Sequence, residues 1–181
     1  MYMPLLVART IVLFAVSIST ASTLGAQPAA ASRVGTPVKA LLGDARTEAK
    51  KWRPDAYLFQ VTARRVTDGV AMWYYDFFAP GASGKKCLRL NFGKDKRVFT
   101  QQLECDTAEP EIKDVAVDSD KAVVIARKEG LTRPELTVIL TTVPAGQRLI
   151  WIIMEGNGMK DGDLTIDIDA QTGAVRGKRK L

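Results

Sequence analysis

The chain runs twice through one pattern, a short helix, a proline stop and a β-rich meander, and this duplication constrains its fold more than any other feature. The first helix is predicted from Asp44 to Trp52, before Arg53-Pro54-Asp55, and the second from Asp120 to Gly130, before Arg133-Pro134-Glu135. Each has an aspartate at its start, where a carboxylate can accept from first-turn N–H groups, and a proline that forbids continuation. A strand pair follows in each copy. Tyr57, Phe59, Val61 and Ala63 share a face, and 71–78 returns across Thr67-Asp68-Gly69; 136–140 is followed by 149–154 across Pro144-Ala145-Gly146. The third strands, 87–92 and 164–168, alternate apolar and polar residues with period two. Each meets a polar turn, 93–96 or 169–173, and resumes at Val98 or Val175. Pro54 to Pro134, Trp73 to Trp151 and Leu88 to Leu164 are offset by 80, 78 and 76 residues, so one spacing is kept with small loop changes.

The expected fold class is therefore α+β: two tandem helix-plus-antiparallel-sheet units, residues 44–105 and 120–181, each a short helix packed on a three- to four-stranded meander. A unit of ~58 residues buries little surface alone, so the two should lie side by side. Residues 106–119, acidic around Pro110, read as a solvated linker, and 176–180 as a basic tail.

The N-terminal residues 1–26 carry Arg9, an apolar run from Ile11 to Val16 and then small residues up to Ala26. That is the order of a secretory signal peptide, and the apolar run is short of the ~20 residues of a spanning helix. Residues 27–43 read as a flexible tether. The mature protein is expected to be soluble and exported, periplasmic or extracellular. An oxidising compartment favours a disulfide between Cys87 and Cys105, worth ~3 kcal/mol, over two buried thiols.

The sequence contains no histidine, which removes the commonest general base and zinc ligand. Ser32, Ser83 and Ser119, the serines beyond the signal segment, stand in no nucleophile elbow, so no enzyme is expected. Asp161, Asp163, Asp167 and Asp169 cluster, but alternation exposes Asp167 and the others fall in turns, the look of a solvated hairpin. An EF-hand starting at Asp167 is excluded, because Gly173 comes one place too late and Lys178 stands near the required glutamate. Neither metal nor cofactor is expected.

The segment Asp169-Ala170-Gln171-Thr172-Gly173-Ala174-Val175, after the alternating strand 164–168, resembles the D-x-x-T-G-x-V ending of the PepSY domain, a family of peptidase propeptides and a spore protein. Asp169 and the Thr172 hydroxyl can bond nearby N–H groups while Gly173 takes a positive φ, a structural turn. Helix, strand pair and hairpin occur in the family's order over about 58 residues at the C-terminus. The first copy has Gly93-Lys94-Asp95-Lys96 instead and enters only through the repeat. The resemblance implies an exported, non-catalytic domain tied to regulating or inhibiting a peptidase.

Two contact surfaces are predicted. Lys50, Lys51, Arg53, Lys85, Lys86, Arg89, Lys94, Lys96 and Arg97 concentrate in the first copy of a chain with net charge +6. Such a patch suits an anionic lipid or envelope polymer; nucleic acid is not an expected partner. In the run 72–78 both strand faces are apolar, so one is core. The other, with Met72, Tyr74 and Phe78, is either covered by the second unit or contacts an envelope protein such as a peptidase. An exposed sheet edge offers a further route to binding.

Overall fold

The computed structural model describes residues 35–67, 72–84, 86–93, 98–105, 110–143, 148–156 and 162–180, apart from the side chains of Arg65 and Val98. The expected signal segment 1–26 and residues 27–34 of the expected tether lie outside them, and 38–43, also expected as tether, are helical.

Among the described residues ten elements follow in the order α1 (Val38–Trp52), β1 (Tyr57–Val66), β2 (Trp73–Phe78), β3 (Cys87–Phe92), β4 (Val98–Leu103), α2 (Ser119–Lys128), β5 (Leu136–Val143), β6 (Arg148–Glu155), β7 (Leu164–Asp169) and β8 (Val175–Lys180). Each half is thus a helix followed by four antiparallel strands, but the two halves do not form separate units. The strands make one eight-stranded sheet in the order β4-β3-β2-β1-β5-β6-β7-β8. The expectation of two tandem units with their own meanders is overturned by the β1–β5 pairing, in which Val61 faces Leu140 and Thr62 faces Ile139. The physical reason is edge satisfaction: the first strand of a free meander leaves a row of N–H and C=O groups unpaired, and each half's first strand fills the other's row.

A helix-facing row therefore runs unbroken through both halves. Leu90, Tyr75, Val61, Leu140, Trp151 and Ile168 are successive cross-strand neighbours and all are buried. α1 lies on this face over β1–β3 and α2 over β6 and β7.

α1 begins six residues before the expected Asp44. Gly43 in its interior weakens the sequence signal, and the stripe Val38, Leu41, Ala45 and Ala49 holds it to the sheet. It ends as expected before Arg53-Pro54. α2 starts at Ser119 with Asp118, not Asp120, as its N-cap, and stops at Gly130, whose φ of +110° is in a region that favours glycine.

The two helix N-termini meet. α1 is preceded by Pro37, which supplies no side-chain cap. Its first N–H groups are satisfied from α2's start: Val38 N–H donates to Ser119 Oγ at 3.1 Å and Lys39 N–H to Asp118 Oδ1 at 3.2 Å. The same Asp118 Oδ1 accepts from Ser119 N–H at 2.7 Å. One carboxylate thus faces the positive ends of two helix dipoles, which would otherwise repel. Tyr75 closes the junction by donating its hydroxyl to Val38 O at 2.9 Å. Burial first, and then the negative charge of Asp118, push the phenol's pKa far above its ordinary value, so it remains a donor.

The segment approaching each helix is pinned by the tryptophan of the same half. The indole N–H of Trp73 donates to Thr36 O and that of Trp151 to Val117 O, both at 2.8 Å. The stretch 110–118, expected as a solvated linker, is instead packed. Ile112 and Val115 are buried, Ile112 N–H donates to Leu58 O at 2.7 Å, and Arg46 Nη2 donates to Ile112 O at 3.0 Å. Its acidic side chains hid these two apolar contacts in the sequence.

Asp118→Ala removes the acceptor shared by both helices. It should lower stability by about 1–2 kcal/mol, seen as a drop in urea midpoint with unchanged slope; an unchanged midpoint would refute the shared cap.

Candidate functional site

Both helices cover one sheet face, and among the described residues the opposite face carries no helix. One of its rows runs Phe99, Asn91, Tyr74, Thr62, Ile139, Ile152 and Asp167 across seven strands. None of the seven side chains is fully buried, and Phe99 is 63% exposed. Ile150 and Met154 flank Ile152 on the same face, by alternation along β6.

The predicted contact residues divide on this face. The second half extends the sheet beside it rather than covering it. Met72 is 49% exposed and Tyr74 half-buried, the phenol donating to Met72 Sδ at 3.4 Å. Phe78 is buried, packed at 5.7 Å between ring centroids on Tyr57 and opposite Cys87 in the β2–β3 register. It supports the surface instead of presenting one.

The described residues of the predicted basic patch lie at separate places. Arg89 lies on the helix-free face with both guanidinium arms on the buried Asp76, at 2.7 and 2.8 Å, and its Cζ is 5.6 Å from the Tyr74 ring centroid. The hydrogen bonding to the Asp76 carboxylate outweighs burial and holds the guanidinium above its ordinary pKa. Lys50, Lys51 and Arg53 stand at the C-terminus of α1, on the other side of the sheet. Lys50 donates to Pro54 O at 2.6 Å, Lys51 pairs with Glu48 at 2.6 Å, and Arg53 donates to Gly81 O at 3.4 Å. Lys86 is exposed; Lys85, Lys94, Lys96 and Arg97 lie outside the described residues.

Cys87 and Cys105 form the expected disulfide, with Cα atoms 5.9 Å apart. It ties the end of β4 back to β3.

The Asp169-Thr172-Gly173 turn joins β7 to β8 as a structural element. Asp169 Oδ1 accepts from Gln171 N–H at 3.0 Å and Thr172 N–H at 2.9 Å. Thr172 Oγ1 accepts from Ala174 N–H at 3.2 Å, and Gly173 has φ +77°. The Thr172 N–H, then the Arg176 guanidinium at 2.9 Å and the Gln171 N–H, outweigh burial and hold the Asp169 carboxyl at about 2. Residues 176–180 are not a tail: they belong to edge strand β8, with Arg179 paired to Asp167 and Lys178 Nζ donating to Glu129 O.

The solvated-hairpin reading fails at Asp163, which is fully buried and pairs with Arg133 Nη1 at 2.7 Å; Asp161 lies outside the described residues. Beside it, the buried Glu155 was missed by sequence reasoning. Its Oε1 accepts from Thr132 N–H at 2.7 Å and Arg133 N–H at 3.1 Å, and its Oε2 from Leu164 N–H at 3.2 Å. Burial pushes this carboxyl up, and the three N–H donors with the Thr132 hydroxyl outweigh it, leaving the pKa lowered. The network ties the α2–β5 connection to β6 and β7. Its only sequence signal is a glutamate on the core-facing side of β6, where alternation calls for an apolar residue.

No family model matches the chain, and no curated protein does. A solved structure from Clostridium difficile 630, described as a "putative lipoprotein", is similar to it, with a TM-score of 0.56 over 77% of this chain and 92% of that one. At 15% identity the likeness is one of fold. Among the described residues, no helix is long and apolar enough to cross a membrane.

Two stability measurements follow from these contacts. Because the folded Asp169 carboxyl is held at about 2 against an ordinary 3.8, its contribution is complete above the ordinary value and is lost as pH falls from about 4 to 2. Asp169→Asn should flatten the urea midpoint over that range; an unchanged pH profile would remove the assigned role. Reducing the Cys87–Cys105 bond, which closes an 18-residue separation, should cost about 3 kcal/mol, measured as the urea midpoint with and without reductant.

Proposed function

We propose that this protein is an exported, non-catalytic binding protein of the cell envelope, and that its helix-free sheet face docks on a partner protein. The observation that carries the reading is the one-sided placement of the helices: among the described residues no helix lies over the row of seven incompletely buried residues from Phe99 to Asp167. Eight strands ~4.8 Å apart and about six residues long present on the order of 700 Å², close to the ~800 Å² each partner contributes to a standard interface. The composition suits an interface, with Tyr74, Met72, Met154 and Phe99 as aromatic and thioether groups. Arg89 is held in place by Asp76, so it reaches a partner at little entropic cost.

The N-terminal pattern of a signal peptide, the disulfide and the name given to the protein of similar fold support an envelope location. Both cysteines of this sequence are bonded to each other, which favours a soluble form over a lipid-modified one. The resemblance of the C-terminal segment to the PepSY family supports a peptidase as the class of partner, with inhibition or modulation as the outcome. Charge-driven binding to anionic lipid or polymer is less well supported, because Arg89, Lys50, Lys51 and Arg53 are spent on internal bonds at two separate places.

The test is crosslinked capture of envelope proteins by the oxidised protein at low and high salt, followed by inhibition assays on any captured peptidase. Capture of a peptidase that survives high salt, is inhibited, and is lost at least tenfold in Tyr74→Ala and Ile152→Lys variants of unchanged circular dichroism is the expected result. Binding only to lipid or polymer that collapses with salt, or no inhibition at high excess, would overturn the reading.

A further inference from the structure

The sheet has two edges, and they are built differently. β8 carries Arg176, Lys178, Arg179 and Lys180, three of them held by Asp169, Glu129 and Asp167. A row of cations is the usual protection of a strand edge against pairing with another chain. β4 at the opposite edge reads Val-Phe-Thr-Gln-Gln-Leu, with no charge and no proline. Among the described residues it is paired to β3 alone, and Phe99, Thr100, Gln101 and Gln102 are exposed. The Cys87–Cys105 bond holds this edge against β3 just beyond its last residue, so the strand is presented already ordered.

We propose that β4 pairs antiparallel with β4 of a second copy of this chain, joining two sheets edge to edge about a two-fold axis at Gln101. The commitment to a second copy rests on the self-complementarity of the strand. A two-fold axis perpendicular to a sheet relates equal residues, and facing side chains must share a sheet face, so facing residues have numbers of equal parity. With Gln101 on the axis, Phe99 faces Leu103 of the second copy and Thr100 faces its Gln102. Phe99, Gln101 and Leu103 share the helix-free face, opposite Asn91, Arg89 and Cys87. The register therefore sets apolar against apolar twice on that face, amide against amide at the axis, and hydroxyl against amide on the other. Centring on Thr100 instead would set Phe99 against Gln101 and Leu103 against Arg97. The Gln101 register also covers Phe99, the most exposed large apolar side chain among the described residues, and leaves no like charges opposed within the strand. The two copies each carry net charge +6, and β8 edges brought together would oppose their cations directly. The pairing needs only the edge strand, and it shares Phe99 with the docking face above.

The test uses the full chain, expressed for export into an oxidising compartment and purified in the form that accumulates there, followed by sedimentation over a concentration series. The wild type should dimerise with a dissociation constant on the order of micromolar, as suits an interface at or below ~1,000 Å². Gln101→Lys places two ammonium groups face to face at the axis and should weaken the dimer at least tenfold, with circular dichroism unchanged because the site is exposed. Gln101→Cys should give a disulfide-linked dimer faster than Thr100→Cys, since Gln101 faces itself and Thr100 does not. A wild type that stays monomeric up to several hundred micromolar overturns the proposal, as does a Gln101→Lys variant that dimerises like the wild type. Crosslinking at Thr100→Cys as fast as at Gln101→Cys overturns the register and with it the two-fold at Gln101.

Discussion

The meeting of the two helix N-termini is the contact on which the arrangement of the helix layer depends. A lone helix start carries several unpaired N–H groups and partial positive charge, and two starts brought together double the problem. Asp118 and Ser119 resolve it by capping their own helix and the one from the other half. Because α1 has no cap of its own, its start is defined only once α2 is in place. Trp73 and Trp151 then set the height of each start above the sheet by holding the backbone two residues ahead of it. Helix layer and sheet are registered to each other by hydrogen bonds at the centre of the molecule rather than by apolar packing alone, which tolerates sliding.

That central registration suits a sheet with no internal boundary. The rows of buried side chains cross from β1 to β5 without a change of face, so the core is one continuous layer under two helices. The polar networks lie around it. Asp76 with Arg89, Glu155 with the α2–β5 backbone and Asp169 in the last turn each bury a carboxylate that accepts two or more hydrogen bonds. A buried carboxylate is tolerated on such terms only. All three fasten strands or connections to one another.

What was legible in the sequence was local. The strand pairs, the period-two strands 87–92 and 164–168, the Asp169 turn and the Cys87–Cys105 bond depend on residues close in the chain, where alternation and turn chemistry act directly. The proline stop of α1 was legible for the same reason. The start of α1 was not, because its cap comes from residues about 80 positions away and Gly43 interrupts its stripe. Nor was the single sheet, since alternation gives a strand's faces but not its neighbours. A hint lay in β1, whose Tyr57–Ala63 stretch holds neither proline nor charge, unusual for an edge. On the candidate surface, the free face of the run 72–78 was visible from its double apolar pattern, while the burial of Phe78 and the tying of Arg89 to Asp76 depend on pairings that no spacing reveals.

The β1–β5 pairing also bears on how the chain reaches this state. Val61 and Leu140 are 79 residues apart in sequence yet adjacent at the middle of the sheet, so the central seam carries a large loop-closure entropy. Chains rich in such distant contacts fold slowly. A chain delivered N-terminus first holds its first meander ready with β1 unpaired along one side until β5 emerges, a bare strand edge in an unfinished sheet. The middle of the sheet thus stays open until the second half is delivered, and during that interval its bare edge calls for a chaperone.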